Sequence, residues 1–141
     1  MTKLNVKSLE PGQALSPLAK EPVSKTQILR YAGASGDDNL IHTDVETARE
    51  RGLDGVIAHG MLSMGILGQY LTDLAGPGNT RALRVRFAGM VRLGDVLTCY
   101  GTVRSIEARN DGARNVMLDL WIENQRGDRV TTGDAQIMLR P

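Results

Sequence analysis

One apolar stretch in the middle of the chain constrains its fold more than any other feature. Between residues 61 and 74, apolar side chains recur at helical spacings and spread around the helix axis: Met61, Leu62, Met64, Ile66, Leu67, Tyr70, Leu71 and Leu74. This distribution predicts a helix buried inside the protein rather than an amphipathic surface helix. The stretch also carries Gln69 and Asp73 and ends at the breakers Gly76-Pro77-Gly78. It is therefore shorter than the roughly 18 apolar residues of a membrane-spanning helix, and we predict no membrane partner.

Four segments with alternating apolar and polar residues follow this stretch. They lie at about 83–87, 96–106, 116–122 and 130–139, and turn-forming residues separate them at 93–95, 110–112 and 125–128. Each of these breaks is suited to joining two antiparallel strands. A further strand is predicted at about 14–23, interrupted by Pro17. A long apolar helix beside a curved antiparallel sheet predicts the α+β fold class.

Two shorter helices are predicted in the first half of the chain. Ser24, with Gln27 three residues later, fits a capping box at the start of the first helix. The second helix is capped by Thr43 or Asp44 and ends at Gly52.

This connecting segment carries Asp37 and His42, and His42 is one of only two histidines in the chain. A helix would separate positions i and i+5 by about 140° around its axis, so a helix could not aim both groups at one substrate. Residues 35–39 read Ser-Gly-Asp-Asp-Asn and favour an irregular loop, which could do so. A carboxylate beside an imidazole is suited to proton transfer. An ordinary polar loop with a helix-capping Asp would have the same composition.

Three motifs follow one another along the chain: YAGASGDDNLIH at 31–42, AHGM at 58–61, and RFAGMV at 86–91 followed by Gly94-Asp95. In this order they resemble the motifs of the MaoC-like (R)-specific enoyl-thioester hydratases and 3-hydroxyacyl-thioester dehydratases. The resemblance covers most of the chain and implies a single hotdog domain over 1–141, in which a curved antiparallel sheet wraps around a long central apolar helix. The first motif of the family usually has Pro after the Asn, whereas this chain has Leu40. Leucine leaves the loop less rigid and removes neither reactive group.

The resemblance also implies a function. The expected enzyme is a hydro-lyase that reversibly hydrates trans-2-enoyl thioesters or dehydrates (R)-3-hydroxyacyl thioesters, carried by coenzyme A (CoA) or by an acyl carrier protein. Asp37 and His42 would act as an acid–base pair on one water, without a cofactor. The backbone N–H of Gly60, at the start of the central helix, would hold the negative charge that grows on the thioester oxygen.

Three neighbours of these groups are predicted to support substrate binding. Asn39 is expected to form the loop and to orient the acid–base pair through its side chain. Met61 is expected to line the core or the acyl tunnel. His59 is expected to be mainly structural, next to Gly60.

Composition and charge exclude several other classes. Lys and Arg number 17 against 16 Asp and Glu, and aromatic residues make up 4% of the 141 residues, which gives no sign of a nucleic-acid partner. Two histidines without a Cys/His spacing motif predict no metal site. Cys99 is the single cysteine and is expected to be a buried thiol. The N-terminal residues lack the apolar core of a secretory signal, so we expect a cytoplasmic protein.

Two alternative functions stay open at this point. A hotdog thioesterase would use the same helix to polarise the carbonyl but would direct water at C1, and a partner-dependent dehydratase subunit would need a second hotdog chain. In every case we expect a homodimer or a hetero-oligomer, because a small hotdog layer leaves a sheet edge uncovered. Four arginines are expected to form a solvated strand face or to meet the phosphates of a carrier: Arg81, Arg84, Arg86 and Arg92.

Overall fold

The computed structural model describes residues 3–141, which form one curved sheet packed against a central helix. A short 3₁₀ turn, Leu40–His42, lies between the first two helices. The other elements, in chain order, are β1 (Leu18–Ala19), α1 (Lys25–Ser35), α2 (Val45–Glu50), α3 (Gly60–Ala75), β2 (Thr80–Phe87), β3 (Thr98–Ala108), β4 (Arg114–Glu123) and β5 (Arg129–Leu139). The predicted α+β class is confirmed.

The five strands form one antiparallel sheet in the order β1-β3-β4-β5-β2. Along β4, every second side chain is buried, as the alternating pattern predicted: Val116, Leu118, Leu120 and Ile122. The strand pairing shifts register once between β3 and β4, once between β4 and β5, and once between β2 and β5. Such irregularities bend strands and increase their twist, so they let the sheet curve around α3 in the hotdog arrangement.

Helix α3 buries most of its surface against β2 to β5. Its largest buried side chains form the centre of the core: Ile66, Leu67, Tyr70, Leu71 and Leu74. The prediction of a helix buried all round is only partly right, because one face stays exposed and includes Met61, Gln69 and Thr72. No helix among residues 3–141 is long and apolar enough to cross a bilayer.

Two sequence predictions about the strands are wrong. The first strand was expected over 14–23, but only Leu18–Ala19 pairs regularly with β3, and Ala14 adds an isolated bridge to Thr102. Pro17 lies between these two contacts and has no N–H to continue the pairing. The turn at 93–95 does not join neighbouring strands, because β2 pairs with β5 at the far edge of the sheet.

The helix caps and the buried thiol agree with the sequence predictions. The Ser24 hydroxyl accepts a hydrogen bond from the N–H of Gln27 at 3.1 Å and starts α1. The Asp44 carboxylate accepts one from the N–H of Thr47 at 2.8 Å and starts α2, and hydrogen bonding to Thr47 lowers the pKa of Asp44. Burial raises the pKa of the Cys99 thiol to about 12, so this thiol stays protonated at neutral pH.

Candidate active site

The segment after α1 holds Asp37 and His42 in fixed positions. Gly36 ends α1 with a φ of 74°, a conformation that glycine adopts without strain. The Asn39 side chain accepts a hydrogen bond from the N–H of Ile41 at 3.2 Å and so starts the 3₁₀ turn that contains His42. The N–H of Asn39 donates to the Asp37 carboxylate at 3.3 Å. Asn39 therefore contacts Asp37 through its backbone N–H, and the predicted contact through the Asn39 side chain is not observed.

His42 faces Asp37 across a short gap. The imidazole is buried, and its Nδ1–H donates to the carbonyl of Ile57 at 2.7 Å, since a carbonyl can only accept. In the neutral ring this bond leaves a lone pair on Nε2, which lies 3.8 Å from Oδ2 of Asp37. That distance is too long for a direct hydrogen bond. At this spacing, a molecule with two O–H donors can donate one hydrogen bond to Nε2 of His42 and one to Oδ2 of Asp37.

His59 lies directly against this pair. Its ring stacks on that of His42 with 3.8 Å between the centroids, and Tyr31 packs on it with 4.8 Å between the centroids. Its Nε2–H donates to the backbone carbonyl of Asp37 at 3.1 Å. The ring is 2% exposed, and its Nδ1 has no hydrogen-bond partner within residues 3–141. His59 therefore fixes both the backbone of Asp37 and the plane of the His42 ring.

Gly60 is the first residue of α3, so its N–H belongs to the first turn, which has no acceptors within the helix. A Cβ at this position would lie 2.9 Å from the ring of Phe87. A side chain at this position would therefore have to displace the aromatic ring that packs on the backbone.

Three of these groups, Asp37, His59 and Gly60, line one cavity of about 470 Å³. Its lining includes Tyr31, Asp37, His59, Gly60, Met61 and Phe87. Met61 is 54% exposed and so is part of the cavity rim, not of the core. His42, which contacts Asp37 and His59, and Asn39 are not lining residues. Sequence reasoning missed Phe87 as a site residue, although it is the only phenylalanine and lies in the third motif.

Asp37, His42 and His59 also meet the geometric requirement for a metal-ligand cluster, since one donor atom from each lies within 4.8 Å of the others. One ring nitrogen of each histidine is already bonded to a backbone carbonyl. The absence of a metal therefore stays a prediction of the sequence.

Residues 6–120 match the family described as a MaoC like domain. The chain belongs to this family. An (R)-specific enoyl-CoA hydratase of Rhodospirillum rubrum is 37% identical to this MaoC-like chain over 100 residues, which are 70% of the chain and 68% of that relative. A 3-hydroxybutyryl-CoA dehydratase of Methylorubrum extorquens is 31% identical over 67% of the chain and 60% of its own length.

Solved structures agree with this assignment. The R-hydratase PhaJ1 from Pseudomonas aeruginosa, in its unliganded form, superposes on 96% of the chain with a TM-score of 0.83 and 30% identity, and 84% of that structure is covered. The predicted MaoC-like family, the hotdog fold and the hydro-lyase class are confirmed. The comparisons assign no role to the individual residues of the site.

Proposed function

We propose that this protein adds water reversibly across the double bond of trans-2-enoyl thioesters, and so also dehydrates (R)-3-hydroxyacyl thioesters. The observation that carries the proposal is the 3.8 Å spacing between Nε2 of His42 and Oδ2 of Asp37, beside a cavity that also reaches the N-terminus of α3. The names of the two relatives support the same chemistry with CoA thioesters. An acyl carrier protein presents the same thioester.

The proposed reaction uses one water held between the two acceptors. This water donates hydrogen bonds to the Asp37 carboxylate and to the neutral His42 ring, and its oxygen attacks C3 of the enoyl group. The pair accepts one proton from the water and delivers one proton to C2, so that it ends the turnover in its starting protonation state. Dehydration follows the same steps in reverse.

The growing negative charge needs a donor on the opposite side of the substrate. As water adds to C3, electron density moves through C2 to the thioester oxygen. The proposed donor is the N–H of Gly60, where the dipole of α3 also favours negative charge. His59 and Asn39 do not contact the reacting atoms in this scheme, and they hold Asp37 and His42 in position.

The test is an assay that follows both possible sites of water attack. With a trans-2-enoyl-CoA we expect loss of the conjugated enoyl absorbance, no release of free thiol, and a product that chiral analysis identifies as (R)-3-hydroxyacyl-CoA. Stoichiometric thiol release without hydroxylation at C3 would instead establish the thioesterase alternative. Activity that appears only after a second hotdog chain is added would establish the partner-dependent subunit.

Variants then test the two reactive groups. Asp37→Asn and His42→Ala should each lower kcat by roughly 10²- to 10⁴-fold with the fold retained. The double variant should lose much less than the product of the two losses, since both groups act on one water. The matched control is Asp38→Asn, which removes the neighbouring exposed carboxylate and should keep most of the activity.

A further inference from the structure

A second cavity lies next to the proposed reaction cavity. It measures about 220 Å³, and its nine lining residues are all uncharged. Besides the residues that it shares with the first cavity, its lining includes the apolar side chains of Ile57, Ala58, Met90 and Val91 and the buried residues Ser63 and Thr131. An apolar space of this kind suits hydrocarbon and not a carboxylate or a phosphate.

Two residues line both cavities: Gly60 and Phe87. The Phe87 ring packs against Gly60 so closely that an added Cβ would be 2.9 Å from it. The ring therefore lies between the space that holds Asp37 and the uncharged space beyond. It is 47% exposed, so its removal costs the core little.

The proposed reaction fixes the direction in which an acyl chain must continue. With the thioester oxygen at the N–H of Gly60 and C3 beside Asp37 and His42, the carbons beyond C4 need apolar surroundings. In the reaction cavity, Ser35, Asp37 and His59 put polar groups into the lining, whereas the second cavity has no charged residue and no histidine. The second cavity is the adjacent apolar space, and the Phe87 ring lies between it and the reaction cavity.

We propose that Phe87 determines the acyl-chain length that this protein accepts, by closing the second cavity to the acyl tail. This inference rests on the proposed function. The wild-type protein then prefers short enoyl chains, whose tails end before the ring. Without the ring, the two cavities join, and each methylene that enters the second cavity leaves water.

The experiment measures kcat/KM for trans-2-enoyl-CoA substrates with four, eight and twelve carbons. For Phe87→Ala, the ratio of the eight-carbon to the four-carbon value should rise by about tenfold or more over the wild-type ratio, since even one methylene in an apolar pocket changes kcat/KM by about that factor. Phe87→Leu should give a smaller rise. Binding of saturated dodecanoyl-CoA, measured by calorimetry, should tighten in Phe87→Ala and gives a readout that does not depend on turnover.

Two controls separate this effect from a general loosening of the site. Leu93 is as exposed as Phe87, at 47%, but lines neither cavity. Leu93→Ala should therefore leave the ratio of the eight-carbon to the four-carbon kcat/KM unchanged. Ser63→Leu in the Phe87→Ala background fills the second cavity from α3 and should cancel the gain, with thermal unfolding confirming that the variant folds.

The outcomes distinguish this inference from the proposed function. A wild-type protein that hydrates no enoyl thioester, alone or with a second hotdog chain, would refute the proposed function and this inference with it. An active wild type whose chain-length ratio is the same in Phe87→Ala would refute only the role of Phe87. Equal kcat/KM of the wild type for all three chain lengths would also refute only the role of Phe87.

Discussion

At the scale of single residues, Gly60 combines two requirements that meet at one backbone position. The Phe87 ring needs the space that a Cβ would occupy, and the start of α3 leaves an N–H that can bind a thioester oxygen. A substitution at this position therefore changes packing and hydrogen bonding together. The two effects can be separated only by comparing two different substitutions.

We predict that Gly60→Pro is less active than Gly60→Ala by about 10²- to 10³-fold in kcat. Both changes push on the same side of the Phe87 ring, which is 47% exposed and has room to shift. Only proline removes the N–H, and it does so in the first turn of a helix, where proline is tolerated. Steady-state kinetics on the two folded variants measures the difference. Equal activities would place the donor elsewhere.

His59 provides a second test at the residue scale. His59→Leu should lower kcat by about 10- to 100-fold with a small change in KM, because it removes the donor that holds the backbone of Asp37. His59→Gln keeps an N–H at nearly the same place and should recover most of this loss. If the two variants lose the same activity while remaining folded, the bond to Asp37 has no role in positioning.

At the scale of elements, the turn after β2 shows what the third motif contributes. The Asp95 side chain is 4% exposed and accepts hydrogen bonds from the N–H of Arg92 at 2.8 Å and from the Gln125 amide at 2.9 Å. Arg126 pairs with it at 3.4 Å. Asp95 thus ties this turn to the turn between β4 and β5. This segment also contacts the site, because the N–H of Ala58, which precedes His59 and Gly60, donates to the carbonyl of Val91.

This carboxylate makes stability depend on pH in a defined direction. Burial opposes its ionisation, but the hydrogen bonds from Arg92 and Gln125 and the charge of Arg126 outweigh burial, so the pKa of Asp95 lies below its ordinary value of 3.8. When a carboxyl group has a lower pKa in the folded state than in the unfolded state, its ionised form stabilises the fold at pH values above the unfolded-state pKa. This stabilisation is lost as the pH falls from the unfolded-state pKa through the folded-state pKa.

We therefore predict that Asp95→Asn lowers the free energy of unfolding by about 1–3 kcal/mol at pH 7, and that the difference from wild type narrows below about pH 4. Urea unfolding at several pH values measures it. Asp38→Asn, at an exposed position, serves as the control and should change little at any pH. A difference for Asp95→Asn that stays constant with pH would contradict the assignment.

Local signals in the sequence predicted the elements better than their arrangement. The caps at Ser24 and Asp44 and the alternation along β4 depend on neighbouring residues, and the structure confirms them. The pairing of β2 with β5 depends on contacts about fifty residues apart, which no periodicity encodes. For the same reason Asp37 and His42, five positions apart, were predicted as a pair, whereas Phe87 was missed as a neighbour of Gly60.

At the scale of the whole molecule, the sheet has two unequal edges. β1 is a two-residue strand, whereas β2 is an eight-residue edge strand whose outer side is unpaired within residues 3–141. Natural proteins rarely leave a long edge strand open to solvent. This geometry supports the expectation of an oligomer.

We predict that the protein is at least dimeric in solution. Sedimentation velocity over a wide range of concentrations should give a dimer or larger species at the concentrations used for the activity assay, because pairing covers the edge of β2. The same samples should be assayed for hydration. A monomer at every concentration with full activity would contradict this prediction.

The place of β5 in the sheet has a consequence for how the protein is made. β5 is the last strand of the sequence, yet it lies between β4 and β2. While a ribosome synthesises the chain, the loop with Asp37 and His42 and helix α3 emerge before β5, and the apolar surface of α3 has no complete cover until β5 inserts. Phe87 likewise reaches its register opposite Thr131 only then. The nascent chain is thus most exposed to aggregation and to chaperones just before its final strand appears.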